Sequence, residues 1–360
     1  MLTKKRFPTE TCIKEKAVDS LWISQFIMYA VFLFAIVAYA VLDGFDLGVG
    51  CLHLFARGNL ERRIMINAIG PVWDGNSTWI LIGGGVLFAA FSKAFSTLAP
   101  NLYTPFMAIL FGFMLRAASI EFRGKREGQS WANFWDFGFF FASFLLALMI
   151  GTILGNLIKG LPLNDQGELV GGVLALLTPY PLLIAIFGIS CFMMHGSLYL
   201  LMKTEGEFHK RVRNWAHRAI WTFLVLWLVS TVATFVLHPH MTNPFFNNPI
   251  LMICPLLSFV AIFGILYAIR KDYDGIAFLC SCLSILFLLL LFVIGTFPNI
   301  AYSTINPEQN SLTFMNSSVS EFALWILVGV ALTGVPLSFF YFPYVYKVFK
   351  GKIKIDSMSY

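Results

Sequence analysis

At 360 residues, 58% hydrophobic and only 12% charged, with a mean hydropathy of +0.76, the chain carries about half the charge of a soluble globular domain, which is roughly 25% charged, and this excludes water as its main solvent. The net charge of +6 comes from basic residues in short segments between apolar runs, which excludes nucleic acid as a partner. The six cysteines show no paired CxxC spacing, only a lone CxC at Cys280 and Cys282, and so exclude a disulfide framework or a zinc ribbon.

In chain order, residues 1–20 are polar and of mixed charge, with no apolar stretch of signal-peptide type, and read as a surface tail. A membrane-spanning helix needs about 20 apolar residues. On that measure the spacing predicts nine spans, at 22–43, 77–98, 102–121, 133–158, 173–202, 215–237, 250–269, 275–296 and 319–347. The first is expected to run on as helix to about Phe55, interrupted by Gly44, Gly48 and Gly50. Segments 238–249 and 297–318 are rich in Pro and Asn and read as turns and surface loops. The expected fold is an all-α polytopic membrane bundle forming one transmembrane domain over 21–350, with a cytoplasmic tail at 351–360. The count suits two four-helix halves plus one helix. All but seven of the 25 Lys and Arg lie in or beside the loops after spans one, three, five and seven or in the C-terminal tail. The excess of positive charge on that side predicts an outer N-terminus and a cytoplasmic C-terminus.

Ionisable residues inside a membrane are costly and mark function. The first cluster is Asp43-Gly-Phe-Asp46-Leu-Gly48-Val-Gly50, whose two acids, three apart, share a helix face. Asp43 lies about 32 Å beyond Trp22 along a helix, one hydrocarbon thickness away, so both acids are expected at the cytoplasmic edge. The second is Pro71-Val-Trp73-Asp74-Gly-Asn76, where Asp74 and Asn76 open span two from the same side. A polar funnel for protons or ions, shaped by Trp73 and Asn76, is one reading. The plain alternative is a set of solvated helix ends with Asp as N-caps. Arg116 with Glu121-Phe-Arg123 reads as a positive-inside anchor with an ion pair, and Asp136 after Trp135 as an N-cap. Only His195 lies deep within a span, and no facing histidine pair for heme iron is evident. Gly83-Gly84-Gly85 sits inside an apolar helix and reads as a packing feature.

Several of these runs, in order, resemble subunit II of the cytochrome bd quinol oxidases. They are Leu42-Asp-Gly-Phe-Asp-Leu-Gly-Val-Gly50, Glu61-Arg-Arg-Ile-Met-Ile-Asn67, Pro71-Val-Trp-Asp-Gly-Asn76, Trp135-Asp-Phe-Gly138, Gly155-Asn-Leu-Ile-Lys-Gly160, His195-Gly196 and Lys203-Thr-Glu-Gly206. The resemblance covers about 22–350. It departs from the family at Val72, where some members have His, and in the longer N-terminal tail. It implies a bacterial inner-membrane terminal oxidase that oxidises quinol and reduces O2 to water. Its implied partner is subunit I, which ligates heme b and heme d, while subunit II ligates no metal. A quinone bound in a groove of subunit II is known in some members, and lipid and a small accessory subunit are further partners the family allows. The acids matching Asp43, Asp46 and Asp74 are implicated in proton uptake, and Glu121 joins them at the inner end of span three. Two other expectations stand beside this one. A secondary transporter using the same acids would show paired discontinuous helices and a midplane site. A purely structural subunit would use the acids as caps.

Overall fold

The computed structural model describes residues 10–349 and 351–353, with side chains from residue 20 onward. The helices are α1 (Glu10–Leu52), α2 (Gly58–Ile69), α3 (Trp73–Ala90), α4 (Ser92–Asn101), α5 (Tyr103–Phe122), α6 (Gln129–Lys159), α7 (Pro179–Lys203), α8 (Gly206–Leu237), α9 (Asn243–Asn247), α10 (Ile253–Arg270), α11 (Asp274–Thr296), α12 (Pro307–Asn310) and α13 (Glu321–Val348). Two short antiparallel strands, β1 (Asn299–Ala301) and β2 (Leu312–Thr313), lie between α11 and α13. Among the described residues eight helices are each long and apolar enough to cross a membrane, and α3 with α4 qualifies as a bent pair. Counting that pair as one pass gives the expected nine.

The first helix does not break at its glycines. It is continuous through Gly44, Gly48 and Gly50, and all three serve helix contact instead. A Cβ on Gly48 would lie 1.7 Å from the Phe192 carbonyl oxygen on α7, and one on Gly50 would lie 1.9 Å from Ser143 Oγ on α6. Gly196 completes the crossing from the α7 side, 2.5 Å from the Val49 nitrogen by the same measure. Small residues let membrane helices approach to backbone contact, where dispersion replaces the hydrophobic effect as the driving force. In the Gly83–Gly85 run, only Gly83 packs, against Ile36, while Gly84 and Gly85 face open space.

Three element boundaries differ from expectation. Predicted span 77–98 is cut at Phe91, where α4 turns away from α3 by 118°. There the Ala90 carbonyl accepts from the Val319 amide (3.0 Å), and α4 buries Ala94 and Leu98 against the far-end loops. Span five begins at Pro179, not 173, because Gly171 and Gly172 hold positive φ (87° and 60°) and Pro suits the first helical turn. Of the tail expected over 1–20, residues 10–19 continue α1, and residues 1–9 lie outside the described residues. In the tail expected at 351–360, the Ile353 amide donates to the Lys203 carbonyl and Lys352 Nζ to the Leu201 carbonyl, whereas 354–360 lie outside the described residues.

The packing repeats. α1 packs on α3 and α6, and α5 on α6; likewise α7 packs on α8 and α11, and α10 on α11. The lead helices α1 and α7 cross at the centre, and α13 is the ninth, packed along α1. One end of the bundle collects the basic loops, where Arg211 pairs with Glu61 and Arg213 with Asp272 and Asp274. The other end is covered by interlocked loops with few charges. Leu161 bridges Ser303, and Asn306 and Asn310 donate to Asp165.

Candidate functional site

The rare internal charges converge in two layers near the basic end. The deeper layer is built on α1, where Asp43 and Asp46 stand one turn apart, both fully buried. Asp43 is gripped by Arg116 of α5 through two parallel bonds, Nη1 to Oδ2 at 3.0 Å and Nη2 to Oδ1 at 2.8 Å. A forked guanidinium–carboxylate pair is the strongest geometry for such a contact, and it offsets part of the cost of desolvating both charges. Ser77 Oγ lies 3.1 Å from Asp43 Oδ1, 2.7 Å from the Trp73 carbonyl and 2.5 Å from Arg116 Nη2. It accepts from the guanidinium and gives its single proton to one of the two oxygens.

Asp46 is held differently. Asn76 Nδ2 donates to Asp46 Oδ2 (2.8 Å), and the Tyr346 hydroxyl of α13 donates to Asn76 Oδ1 (3.0 Å). The amide thus bridges the two, donating to the carboxyl of Asp46 and accepting from the phenol. Asp46 Oδ1 and Arg116 Nε are both buried with no hydrogen-bond partner in the protein.

The second layer lies about 10 Å nearer the end of the bundle, the rise of seven residues from Asp46 to His53. Asp136 is fully buried there and receives Arg123 (2.5 and 3.2 Å), Arg62 (3.0 Å) and His53 Nε2 (2.7 Å). Asp136 is not the N-cap expected from its neighbours. The helix begins at Gln129, seven residues earlier, so Asp136 is an interior residue facing three cationic or polar partners. Arg116 is likewise no interfacial anchor, though the expected ion pair exists, deeper and with Asp43. Asp74 does not cap α3, whose N-terminal boundary residue Val72 makes no side-chain cap bond.

The sequence-predicted residues are thus divided. Asp43, Asp46 and Asn76 come together. Trp73 is half-buried beside them and offers its carbonyl to Ser77. Asp74 is exposed on the opposite face of α3, and Glu121 is half-buried, five residues beyond Arg116 toward the helix end. The carboxylate bonds of Asp43 and Asp46 go to Arg116, Ser77 and Asn76, not to these two. In the sequence Arg116 reads as an anchor and not as the partner of Asp43, and Tyr346 is missed. Arg116 had a signal for this role, being a basic residue inside an apolar run, opposite acids that need a counter-ion. Tyr346 had none among many aromatics.

The buried histidines do not fit a heme-ligating pair. His195 Nε2 donates to the Val41 carbonyl (2.9 Å), and Nδ1 lies 2.7 Å from Ser281 Oγ, which is also 2.6 Å from the Phe278 carbonyl. His53 is tied to Asp136 and lies about 18 Å from the Val41 level along α1. Among the described residues no three His, Cys, Asp or Glu side chains gather in a metal-binding group.

A polytopic bundle that buries two carboxylates against one guanidinium is an integral membrane protein with an internal acid–base site. Residues 24–349 match the model of the family described as cytochrome bd terminal oxidase subunit II. The chain is 32% identical to cytochrome bd-I ubiquinol oxidase subunit 2 of Escherichia coli (strain K12), over 93% of this chain and 96% of the relative. It is 30% identical to cytochrome bd ubiquinol oxidase subunit 2 of Bacillus subtilis (strain 168), over 94% and 97%. It shares its fold with a chain of the bd oxidase from Geobacillus thermodenitrificans, at a TM-score of 0.74 and 14% identity over 91% and 97%. The chain belongs to the cytochrome bd oxidase subunit II family and is one component of a terminal quinol oxidase complex. That complex contains hemes and a subunit I as partner.

Proposed function

We propose that this chain supplies the proton entry of its oxidase and serves as scaffold for a heme-bearing subunit I, in a bacterial inner membrane with the N-terminus outside and the C-terminus in the cytoplasm. The observation that carries the reading is the buried set Asp43–Arg116–Ser77 with Asp46–Asn76–Tyr346. It is polar machinery that no packing need explains, and it stands at the basic end of the bundle, which the positive-inside rule makes cytoplasmic. Asp74 is the acid that water reaches first, and the buried pair lies further in. Protons taken up here are consumed in water formation, while quinol oxidation releases protons on the far side. No pump cycle is needed for a potential to form.

On this reading heme b and heme d are ligated by subunit I, which agrees with the engaged imidazoles of this chain. A shallow apolar groove between α1 and α13, lined by Phe26, Ile27, Ala30, Val31, Phe34 and Val335, suits a lipid acyl chain or the tail of a quinone. The test is proton uptake per O2 in the assembled, heme-replete complex with Asp46→Asn and, separately, Asp74→Asn. We expect both to slow uptake and turnover together. Full uptake and turnover in both variants would leave the chain a scaffold alone.

A further inference from the structure

The deep layer holds two carboxylates but one guanidinium, and the three are not equivalently bonded. Asp43 takes both terminal nitrogens of Arg116 and lies beside the Ser77 hydroxyl. Asp46 receives one neutral amide bond on Oδ2 and nothing from the protein on Oδ1. From the surrounding elements the groups facing this pair are Tyr39 and Asp43 on α1, Arg116 on α5, His195 and Tyr199 on α7, Cys282 on α11 and Tyr346 on α13. His195 is fully buried and bonded to a carbonyl and a hydroxyl but to no carboxylate, and burial without a counter-ion favours the neutral ring, so Arg116 is the one fixed cation. With both acids ionised the layer would carry a net negative charge, fully buried. With one acid protonated it is neutral, and the better-solvated carboxylate is the one that stays ionised.

We infer that Asp46, not Asp43, is the member of the pair that carries a proton at neutral pH, with Arg116 fixing Asp43 as the permanent carboxylate and Tyr346, through Asn76, positioning Asp46. Its role rests on the proton entry proposed above, whereas the protonation itself rests on charge balance and bonding. An amide does not relay a proton without tautomerising, so the Tyr346–Asn76 chain holds Asp46 without conducting to it. The proton arrives and leaves at Oδ1. Binding and release change only the O–H bond of one carboxyl group. When the proton leaves, Arg116 is shared between two carboxylates, and the Asp43–Arg116 pair feels the charge of its neighbour one turn away. Asp46 and Arg116 are thus coupled through Asp43, and Tyr346 is a positioning residue.

The test is infrared spectroscopy of the assembled, heme-replete oxidase near pH 7, in H2O and D2O. A protonated carboxyl gives a C=O band above the amide region that shifts in D2O. We expect this band in the wild type and its loss in Asp46→Asn. We also expect its loss in Asp43→Asn, because Asp46 then becomes the sole counter-ion of Arg116 and ionises. Tyr346→Phe should keep the band at a shifted frequency, and an unshifted band overturns the positioning role. A band that persists in Asp46→Asn and disappears in Asp43→Asn gives the proton to Asp43 and overturns the inference. The absence of any Asp46-dependent band overturns it too, even if Asp46→Asn slows proton uptake, and that result leaves the proposed entry standing. An Asp46-dependent band with undiminished uptake in Asp46→Asn upholds the protonation and removes the entry.

Discussion

Arg116 is the residue on which the interior charge depends. Replacing it with Met leaves Asp43 buried without a counter-ion, a loss of about 3–5 kcal/mol for a broken buried pair. Adding Asp43→Asn should restore much of that stability, since two matched neutral groups cost less than one stranded charge. Thermal unfolding of the purified complex, followed by heme loss, measures both. The acids themselves were legible in the sequence, as was their depth, because residue counting along a helix gives distance at 1.5 Å per step. What counting leaves open is direction around the helix. Asp74 precedes Asn76 by two residues, which is about 200° of rotation, so the two side chains leave α3 on opposite faces. Glu121 follows Arg116 by five residues and is likewise turned away. Asp43, Asp46 and Asn76 met because the sequence placed them on facing stripes, whereas Asp74 and Glu121 shared only a level with them.

At the scale of elements, the α1–α7 crossing tolerates no side chain. Gly48→Ala sets a methyl 1.7 Å from the Phe192 carbonyl oxygen, a clash with backbone that rotamer changes cannot relieve. We expect it to exceed the roughly 1–3 kcal/mol of ordinary overpacking and to lower the yield of heme-replete complex, while Gly84→Ala, facing open space, leaves the yield unchanged. The far-end loops carry a pH dependence of their own. Burial lowers the pKa of both His238 and His240, and for His238 the neighbouring His240 and Lys159 lower it further. The folded loops therefore favour the neutral rings. Their stabilising effect is fully present above the unfolded value of about 6.5 and is lost as the pH falls through the lower folded values. The protection of amides over residues 238–252 from hydrogen exchange, taken relative to the intrinsic rate at each pH, should fall below about pH 6.5, and a His238→Gln, His240→Gln variant should lose that pH dependence. None of this was visible in the sequence, where the segment read only as turns. The bend at Phe91 was hidden for a related reason. Hydropathy is continuous across it, and the group that ends α3, the Val319 amide, lies 228 residues away along the chain.

For the whole molecule, the number of passes and the basic end were legible because both depend on summed composition, which no single contact can reverse. The direction of insertion is open to a direct measurement. With native thiols removed, a cysteine at exposed Glu308 should react with a membrane-impermeant maleimide on intact spheroplasts. One at exposed Glu127 should react only after the inner face is opened. The opposite pattern would invert the proposed topology and move the proton entry to the outer side. The paired four-helix packing carries one more consequence. Aligning α1 on α7 through the contact between Gly48 and Gly196 sets Asp43 and Asp46 opposite Cys191 and Met194. The halves repeat in shape but not in charge. The buried carboxylates therefore belong to the first half, and the matching positions of the second carry no charge. The α1–α7 crossing thus sets two acids on one side against a thiol and a thioether at the matching positions on the other.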